Sequence, residues 1–213
     1  MLLITFRQSA RLPSMTNLRV AAVLCLFALS CAIAQTASAQ AVVSPTVYPP
    51  PDAIYQRFIG HWTGTLEYRD YSSKDAKDKH VILPTKLEVA LNADGNAMQF
   101  HYTYDDGPGK TVRESETISI DLALSRYLVV SEDGKDRDSY QVAGLDQLQG
   151  DTPAHLILEG KGEENGKAVD VRTTIDVSYK SFSILRETKM PGAEFMFRHQ
   201  YKFERVAEVT PVK

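Results

Sequence analysis

Hydrophobic and polar residues alternate along most of the chain after Gly60. The alternating runs are roughly 7 to 12 residues long and have the period of β-strands, not of helices. The predicted strands span residues 60–70, 80–91, 96–105, 111–121, 125–132, 137–144, 153–161, 167–178, 181–189 and 194–206. No helical segment long enough to connect parallel strands lies between them, so the pattern predicts an antiparallel meander.

The predicted strands are separated by residues suited to tight reversals. Clear examples are Asp133-Gly134, Asn165-Gly166 and Pro191-Gly192. Ten strands in one flat sheet would leave long edges exposed, whereas a closed barrel leaves none. We therefore predict an all-β fold, a single antiparallel meander barrel of about ten strands over residues 54–207.

Alternation also predicts which side chains face the barrel interior. In the last strand the expected inward residues are Phe195, Phe197, His199, Tyr201 and Phe203, and Arg198 is expected to face outward. Elsewhere the same rule directs a set of polar side chains inward: Tyr102, Tyr104, Glu114, Glu116 and Arg186.

The residues before the barrel predict a short helix and a linker. Ile54 and Phe58 are four apart on one helical face, Asp52 is suited to the N-cap, and Gly60 ends the segment after about two turns. We expect this helix to close one end of the barrel. Residues 40–53 are proline-rich and predict an extended linker, and residues 208–213 form a C-terminal tail.

The N-terminal region is typical of a secretory signal peptide. Arg19 precedes the apolar run 20–33, and Ala37-Ser38-Ala39 has the small-x-small pattern of a cleavage site. We expect residues 1–39 to be removed after Ala39, with translation starting at Met1 or Met15. The alternative is a membrane anchor, but the apolar run is short for a bilayer span. The expected mature protein is periplasmic or secreted and has no membrane span.

The charge and cysteine content narrow the function classes. Residues 1–39 contain three arginines and no acidic residue, so their removal changes the formal net charge from −3 to −6. Both cysteines, Cys25 and Cys31, lie in the same segment, so the mature chain has no disulfide or thiol chemistry. An acidic chain without a basic cluster argues against a nucleic-acid partner.

A short motif follows the predicted helix. Gly60-His61-Trp62 resembles the Gly-x-Trp opening of calycin barrels, the superfamily of lipocalins and fatty-acid-binding proteins. The resemblance implies that Trp62 plugs the closed end beneath an arginine of the final strand, a role for which Arg205 is suitably placed. The strand count looks closer to nitrobindin-like barrels and to related exported bacterial proteins of unknown function. The alternative is that Trp62 is simply a core aromatic residue.

The inward polar residues predict a ligand site. Apolar and tyrosine walls with a few polar anchors are typical of small-molecule cavities. The expected ligand-binding residues are Arg186, His199, Tyr102, Tyr104, Glu114 and Glu116. Arg186 is suited to an acidic group, so we expect a small apolar or amphipathic ligand. Alternatively, both glutamates reach solvent near a strand end or through a bulge, and Arg186 forms a purely structural ion pair.

Cofactors and catalysis are not indicated. The resemblance to nitrobindin-like barrels makes haem ligation by His199 an alternative, but the segment Val112–Glu116 lacks the histidine that the family carries there. No metal-ligand spacing and no nucleophile motif is evident, so a binding protein is favoured over an enzyme. The same residues are also compatible with a lyase or isomerase that uses His199 with Glu114 or Glu116. A packed barrel without a ligand would instead serve as an envelope interaction module.

Overall fold

The computed structural model describes residues 54–70, 79–149, 152–164 and 166–207. Within these ranges, ten antiparallel strands form one closed barrel. The strands are β1 (Gly60–Arg69), β2 (His80–Leu91), β3 (Met98–Asp105), β4 (Thr111–Asp121), β5 (Arg126–Ser131), β6 (Arg137–Ala143), β7 (Ala154–Glu164), β8 (Lys167–Val177), β9 (Ser181–Lys189) and β10 (Met196–Arg205). A short 3₁₀ helix, Leu145–Leu148, joins β6 to β7. The predicted all-β meander barrel is confirmed.

The barrel closes because β1 pairs with both β2 and β10. Trp62 lies opposite Leu87 on one side and opposite Arg205 on the other. Gly64 permits the close approach of β1 to β10, since a Cβ at this position would lie 1.9 Å from the carbonyl oxygen of Lys202. Every other neighbouring pair joins strands that are consecutive in sequence.

One end of the barrel is filled by the residues that precede β1. Ile54, Tyr55 and Phe58 are almost completely buried. The Tyr55 hydroxyl donates to the carbonyl of Asn96 (3.0 Å) and accepts from the N–H of Ile120 (3.1 Å). These contacts fix residues 54–58 across the end of the barrel. Asp52, the N-cap expected for a helix here, lies outside the described residues.

Trp62 and Arg205 pack together at this closed end. The guanidinium of Arg205 lies 4.1 Å from the centroid of the Trp62 ring. It also donates to the carbonyl of Arg57 (2.8 Å), and the Trp62 indole N–H donates to the carbonyl of Phe58 (2.8 Å). Gly60 has φ +130°, and a Cβ there would lie 2.4 Å from Nη1 of Arg205. Glycine at position 60 therefore leaves room for the arginine.

The predicted inward faces of Phe195 and Phe197 are wrong. The Arg172 guanidinium lies 4.0 Å from the centroid of the Phe195 ring, and Phe197 stacks on His80 with centroids 4.8 Å apart. Arg172 and His80 lie on the outer face of the barrel, because their neighbours along each strand face the core. Both phenylalanines therefore lie outside.

A β-bulge in β10 explains this error. Phe197 pairs with Glu187 and His199 pairs with Arg186, so Arg198 is an extra residue between them. An extra residue reverses the alternation on one side of the bulge. Arg198, expected to face outward, is buried. From His199 to the end of β10, the predicted faces agree with the register.

The signal peptide predicted for residues 1–39, the linker 40–53 and the tail 208–213 lie outside the described residues and remain predictions. Among the residues that are described, no helix has the length and apolar character needed to cross a membrane.

Candidate functional site

The half of the barrel remote from Trp62 is hollow. The cavity has a volume of about 630 Å³, within the range of small-molecule sites. Its deeper part is apolar and includes Leu158, Ile175 and Ile184. Acidic residues of the β5–β6 hairpin, among them Glu132 and Asp136, lie around its mouth. The interior is therefore not the filled core that a packed interaction module would have.

The structure brings all six predicted ligand-binding residues to this one cavity. Its lining includes Tyr102, Tyr104, Glu114, Glu116, Arg186 and His199. Three further tyrosines contribute to the walls: Tyr127, Tyr140 and Tyr201. The proposed roles of these residues in binding remain predictions.

Each glutamate of β4 accepts a hydrogen bond from a tyrosine of β3. The Tyr102 hydroxyl donates to Glu116 Oε1 (3.0 Å), and the Tyr104 hydroxyl donates to Glu114 Oε2 (3.2 Å). The register between β3 and β4 is unbroken, so no bulge turns the glutamates outward. Glu114 is exposed at the mouth, as the solvent-reaching alternative expected, whereas Glu116 is half-buried.

Burial keeps the cavity phenols in their neutral form. It is the largest cause that raises the pKa values of Tyr102, Tyr104 and Tyr201 well above the ordinary value. Burial also raises the pKa of the Glu116 carboxyl, although the hydrogen bond from Tyr102 opposes this shift. The tyrosines therefore supply neutral hydroxyls, and the hydroxyls of Tyr104 and Tyr201 lie 3.0 Å apart.

Arg186 projects from β9 and uses one of its donors. Nη1 donates to the Tyr140 hydroxyl (3.1 Å), which donates in turn to Asp138 Oδ2 (3.0 Å). Burial raises the pKa of the Asp138 carboxyl, and it raises the pKa of Tyr140 to about 12. Within the described residues, no carboxylate forms an ion pair with Arg186. The purely structural ion pair considered for this arginine is therefore not formed there.

Asp138 is a cavity residue that the sequence interpretation missed. The sequence from Asp133 to Asp138 is highly charged and is most simply interpreted as a solvated hairpin. In the structure, Asp138 lies on the same side of β6 as the buried residues Tyr140 and Val142. Alternation along β6 was the signal that would have found it.

A second missed feature is a buried ion pair beside the cavity. Arg198 Nη2 donates to Glu164 Oε2, and the hydroxyl of Thr188 donates to the same oxygen (3.1 Å). The side chains of Arg198 and Glu164 are 5% and 14% exposed. The predicted seventh strand ended at residue 161, whereas β7 continues to Glu164. The pair is therefore a consequence of the longer strand and of the bulge at Arg198.

His199 is held neutral at the edge of the cavity. Burial is the main cause that lowers its pKa to about 3, and the positive charge of Arg186 adds to the shift. Its ring lies edge-on to Tyr201, with centroids 5.6 Å apart. Tyr68 lies opposite His199 in the β1–β10 register.

The shifted pKa of His199 predicts acid sensitivity. The unfolded state binds this proton below about pH 6.5, whereas the folded state binds it only near pH 3. The neutral imidazole of His199 therefore makes its full contribution to the free energy of unfolding above about pH 6.5, and this contribution is lost as the pH falls. We expect His199→Gln to reduce the loss of unfolding free energy between about pH 7.5 and 5 by up to about 2 kcal/mol. Urea denaturation of both proteins at the two pH values measures this, and equal losses would contradict it.

The expectation that the protein carries no cofactor, with haem at His199 as the alternative, remains a prediction. No group of three His, Cys, Asp or Glu side chains in the described ranges is arranged to hold a metal ion. The neutral imidazole of His199 is the cavity group suited to haem iron. However, Glu116 and Asp138 face the same space, and a porphyrin ring would bury both carboxyls against an apolar surface, which is unfavourable. These two carboxyls therefore weigh against haem ligation by His199, which stays an untested alternative.

Comparison with known proteins finds similarity among solved structures. No family model matches the chain, and no curated protein matches it. Among solved structures, the chain is similar to a protein of unknown function of the DUF3598 family from Nostoc punctiforme, with 7% sequence identity and a TM-score of 0.23. The match covers 75% of this chain and 100% of that chain. A likeness at this level carries no argument about function.

Proposed function

We propose that this barrel binds a small amphipathic molecule, with the apolar part of the ligand in the deep half of the cavity and its polar group at Arg186. One observation carries the proposal. A guanidinium with unused donors faces a cavity of about 630 Å³ that has tyrosine walls. A charged group held there without an ion pair is stabilised when a ligand supplies the missing partners.

The proposal includes the setting that the sequence predicts. We infer an exported, calycin-like carrier that is cleaved after Ala39 and acts in the periplasm or outside the cell. Trp62 and Arg205 serve as the plug of the closed end, so a ligand enters from the opposite end. The calycin-like architecture is inferred by analogy, whereas binding is inferred from the cavity residues.

Binding is favoured over catalysis by the hydrogen-bonding pattern. Within the described part of the chain, no hydrogen bond joins His199 to Glu114 or Glu116. A lyase or isomerase that used these residues as acid and base would need them to converge on the reacting atoms. The glutamates bond to tyrosines instead, so the acid–base pair is not preassembled.

Titration with 8-anilinonaphthalene-1-sulfonate, an aromatic amphiphile with an acidic group, tests the proposed function. We expect one molecule to bind with a rise in fluorescence, and Arg186→Gln to weaken binding about tenfold or more, because a charge-assisted hydrogen bond is lost. Arg137→Gln is the matched control, since Arg137 is an exposed arginine on β6. Absence of binding, or equal affinity of the Arg186 variant and the wild type, would contradict the proposal.

A further inference from the structure

Unused donors and unused acceptors lie on opposite walls of the cavity. Glu114 and Glu116 are on β4, whereas Arg186 is on β9. In the closed ring of ten strands, β4 and β9 are five strands apart in either direction. The two strands therefore face each other across the barrel, and both line the same cavity.

The β4 wall offers acceptors. Glu116 uses Oε1 and Glu114 uses Oε2, each for one tyrosine hydroxyl. The second oxygen of each carboxyl accepts no hydrogen bond from a described residue. Glu116 Oε2 is not among the described buried atoms that lack a partner, and Glu114 is exposed at the mouth. These oxygens are therefore accessible from the cavity. No cation of the described chain forms an ion pair with either glutamate.

The β9 wall offers donors. Arg186 donates from Nη1 to Tyr140, and its other N–H groups have no hydrogen-bond partner among the described residues. The charge of Arg186 is balanced in part through Tyr140, whose hydroxyl connects it to Asp138. Asp138 is therefore connected to Arg186 by hydrogen bonds, whereas the charge of Arg186 lowers the pKa of Glu116 only across the cavity and without an ion pair.

The groups between the two walls cannot neutralise them. Tyr102, Tyr104 and Tyr201 stay neutral, and so does His199. The barrel frame holds the opposite charges apart, although their attraction favours contact. A molecule that places a cation against β4 and an anion against β9 satisfies both walls at once, and the tyrosine rings offer favourable faces to the cation.

We propose that the ligand is dipolar: it carries an acidic group for Arg186 and a protonated amine for Glu114 and Glu116. This inference rests on the proposed function, because it assigns the second polar contact of the same cavity. A site for a simple anion would instead leave both glutamates without a cationic partner. It would also place their two carboxylates near the bound acid.

The first test uses unmodified protein and probes of one chain length. Isothermal titration near pH 8 compares octanol, octanoate, octylamine and 8-aminooctanoate, and a parallel set with six carbons allows for the width of the cavity. At this pH the amines are protonated and the acids are ionised. In one of the two sets, we expect the amino acid to bind about tenfold more tightly than the acid or the amine. A factor of about ten corresponds to one additional charge-assisted hydrogen bond.

The second test assigns the two ends of the ligand. Glu116→Gln should weaken binding of the amine and the amino acid about tenfold and leave the acid unaffected. Arg186→Gln should weaken the acid and the amino acid and leave the amine unaffected. Glu88→Gln and Arg137→Gln are matched controls on the outer face, since both residues are exposed. Circular dichroism verifies that each variant is folded, and the wild-type comparison does not depend on any variant.

The outcomes separate the two proposals. If no probe binds, octanol included, the proposed function fails and the dipolar ligand fails with it. If probes bind but an acid or an amine binds at least as tightly as the amino acid in both sets, only the dipolar ligand is overturned. If the amino acid binds most tightly but the two variants weaken all probes equally, the assignment of the two walls is overturned.

Discussion

Replacing Trp62 by alanine is expected to lower the free energy of unfolding by about 3–5 kcal/mol. The side chain is 1% exposed and packs on Phe182, with ring centroids 5.7 Å apart. The substitution leaves a large void and removes the ring beneath the Arg205 guanidinium. It also leaves the carbonyl of Phe58 without the indole N–H that it accepts. These losses all occur at the closed end of the barrel, which residues 54–58 fill.

Urea denaturation followed by circular dichroism measures this loss, since Trp62 is the sole tryptophan of the chain and the variant has no tryptophan fluorescence. Trp62→Phe should lose less, because a ring remains beneath Arg205. Leu124→Ala is the control: Leu124 is 64% exposed in a turn, and we expect a change within about 0.5 kcal/mol. A Trp62→Ala loss as small as that of Leu124→Ala would show that the residue does not support the closed end.

The strands were predictable because their signals are local. β4 was predicted at its observed bounds, 111–121, and β9 at its observed bounds, 181–189. β4 follows the turn sequence Asp106-Gly107-Pro108-Gly109, and both strands keep a regular register with the strand before them. The closure between β1 and β10 was inferred indirectly, from the need to cover the edges of ten strands. The Gly-x-Trp motif then indicated which end of the barrel is filled.

The start of β10 was not predictable by the same reasoning. Alternation extrapolated back from His199 places Phe197 and Phe195 inside, and an aromatic residue on the inner face is the simpler expectation. The bulge at Arg198 reverses this pattern. No proline or glycine marks the position. The bulge is associated with the buried bond from Arg198 to Glu164, a contact between residues distant in sequence.

Part of the candidate site was predictable from alternation along the strands, and part was not. Glu116 and Arg186 face the cavity as alternation predicts, because the β3–β4 and β8–β9 registers are regular. Glu114 lines the cavity but is exposed at its mouth. The roles of all three residues in binding remain predictions. Asp138 was missed because charge near a turn usually indicates solvent exposure. The tyrosine partner of each glutamate was not predictable, although β3 and β4 are consecutive strands, since it depends on the register of the two strands and on the conformation of each side chain.

The ion pair beside the cavity links the bulge to the wall that carries Arg186. Thr188 lies two residues after Arg186 on β9, and its hydroxyl bonds to both Arg198 and Glu164. These three residues join β7, β9 and β10 at the open end of the barrel. We infer that these contacts fix the position of β9, which carries Arg186, relative to β7 and β10. Backbone hydrogen bonds alone would allow β9 to shift next to the bulge.

Glu164→Gln is expected to lower the free energy of unfolding by about 3–5 kcal/mol, because it removes the carboxylate partner of a buried ion pair. The double variant Glu164→Leu/Arg198→Met should recover most of this loss, since apolar residues of similar volume often replace a buried pair without cost. Urea denaturation of the three proteins gives the values. The control is Asp170→Asn, which breaks the pair with Lys161 on the outer face, where the side chains are 42% and 82% exposed. Exposed pairs contribute about 0–1 kcal/mol. An equal loss from Glu164→Gln and Asp170→Asn would contradict a structural role for the buried pair, and a double variant as unstable as Glu164→Gln would show that the site needs the polar network itself.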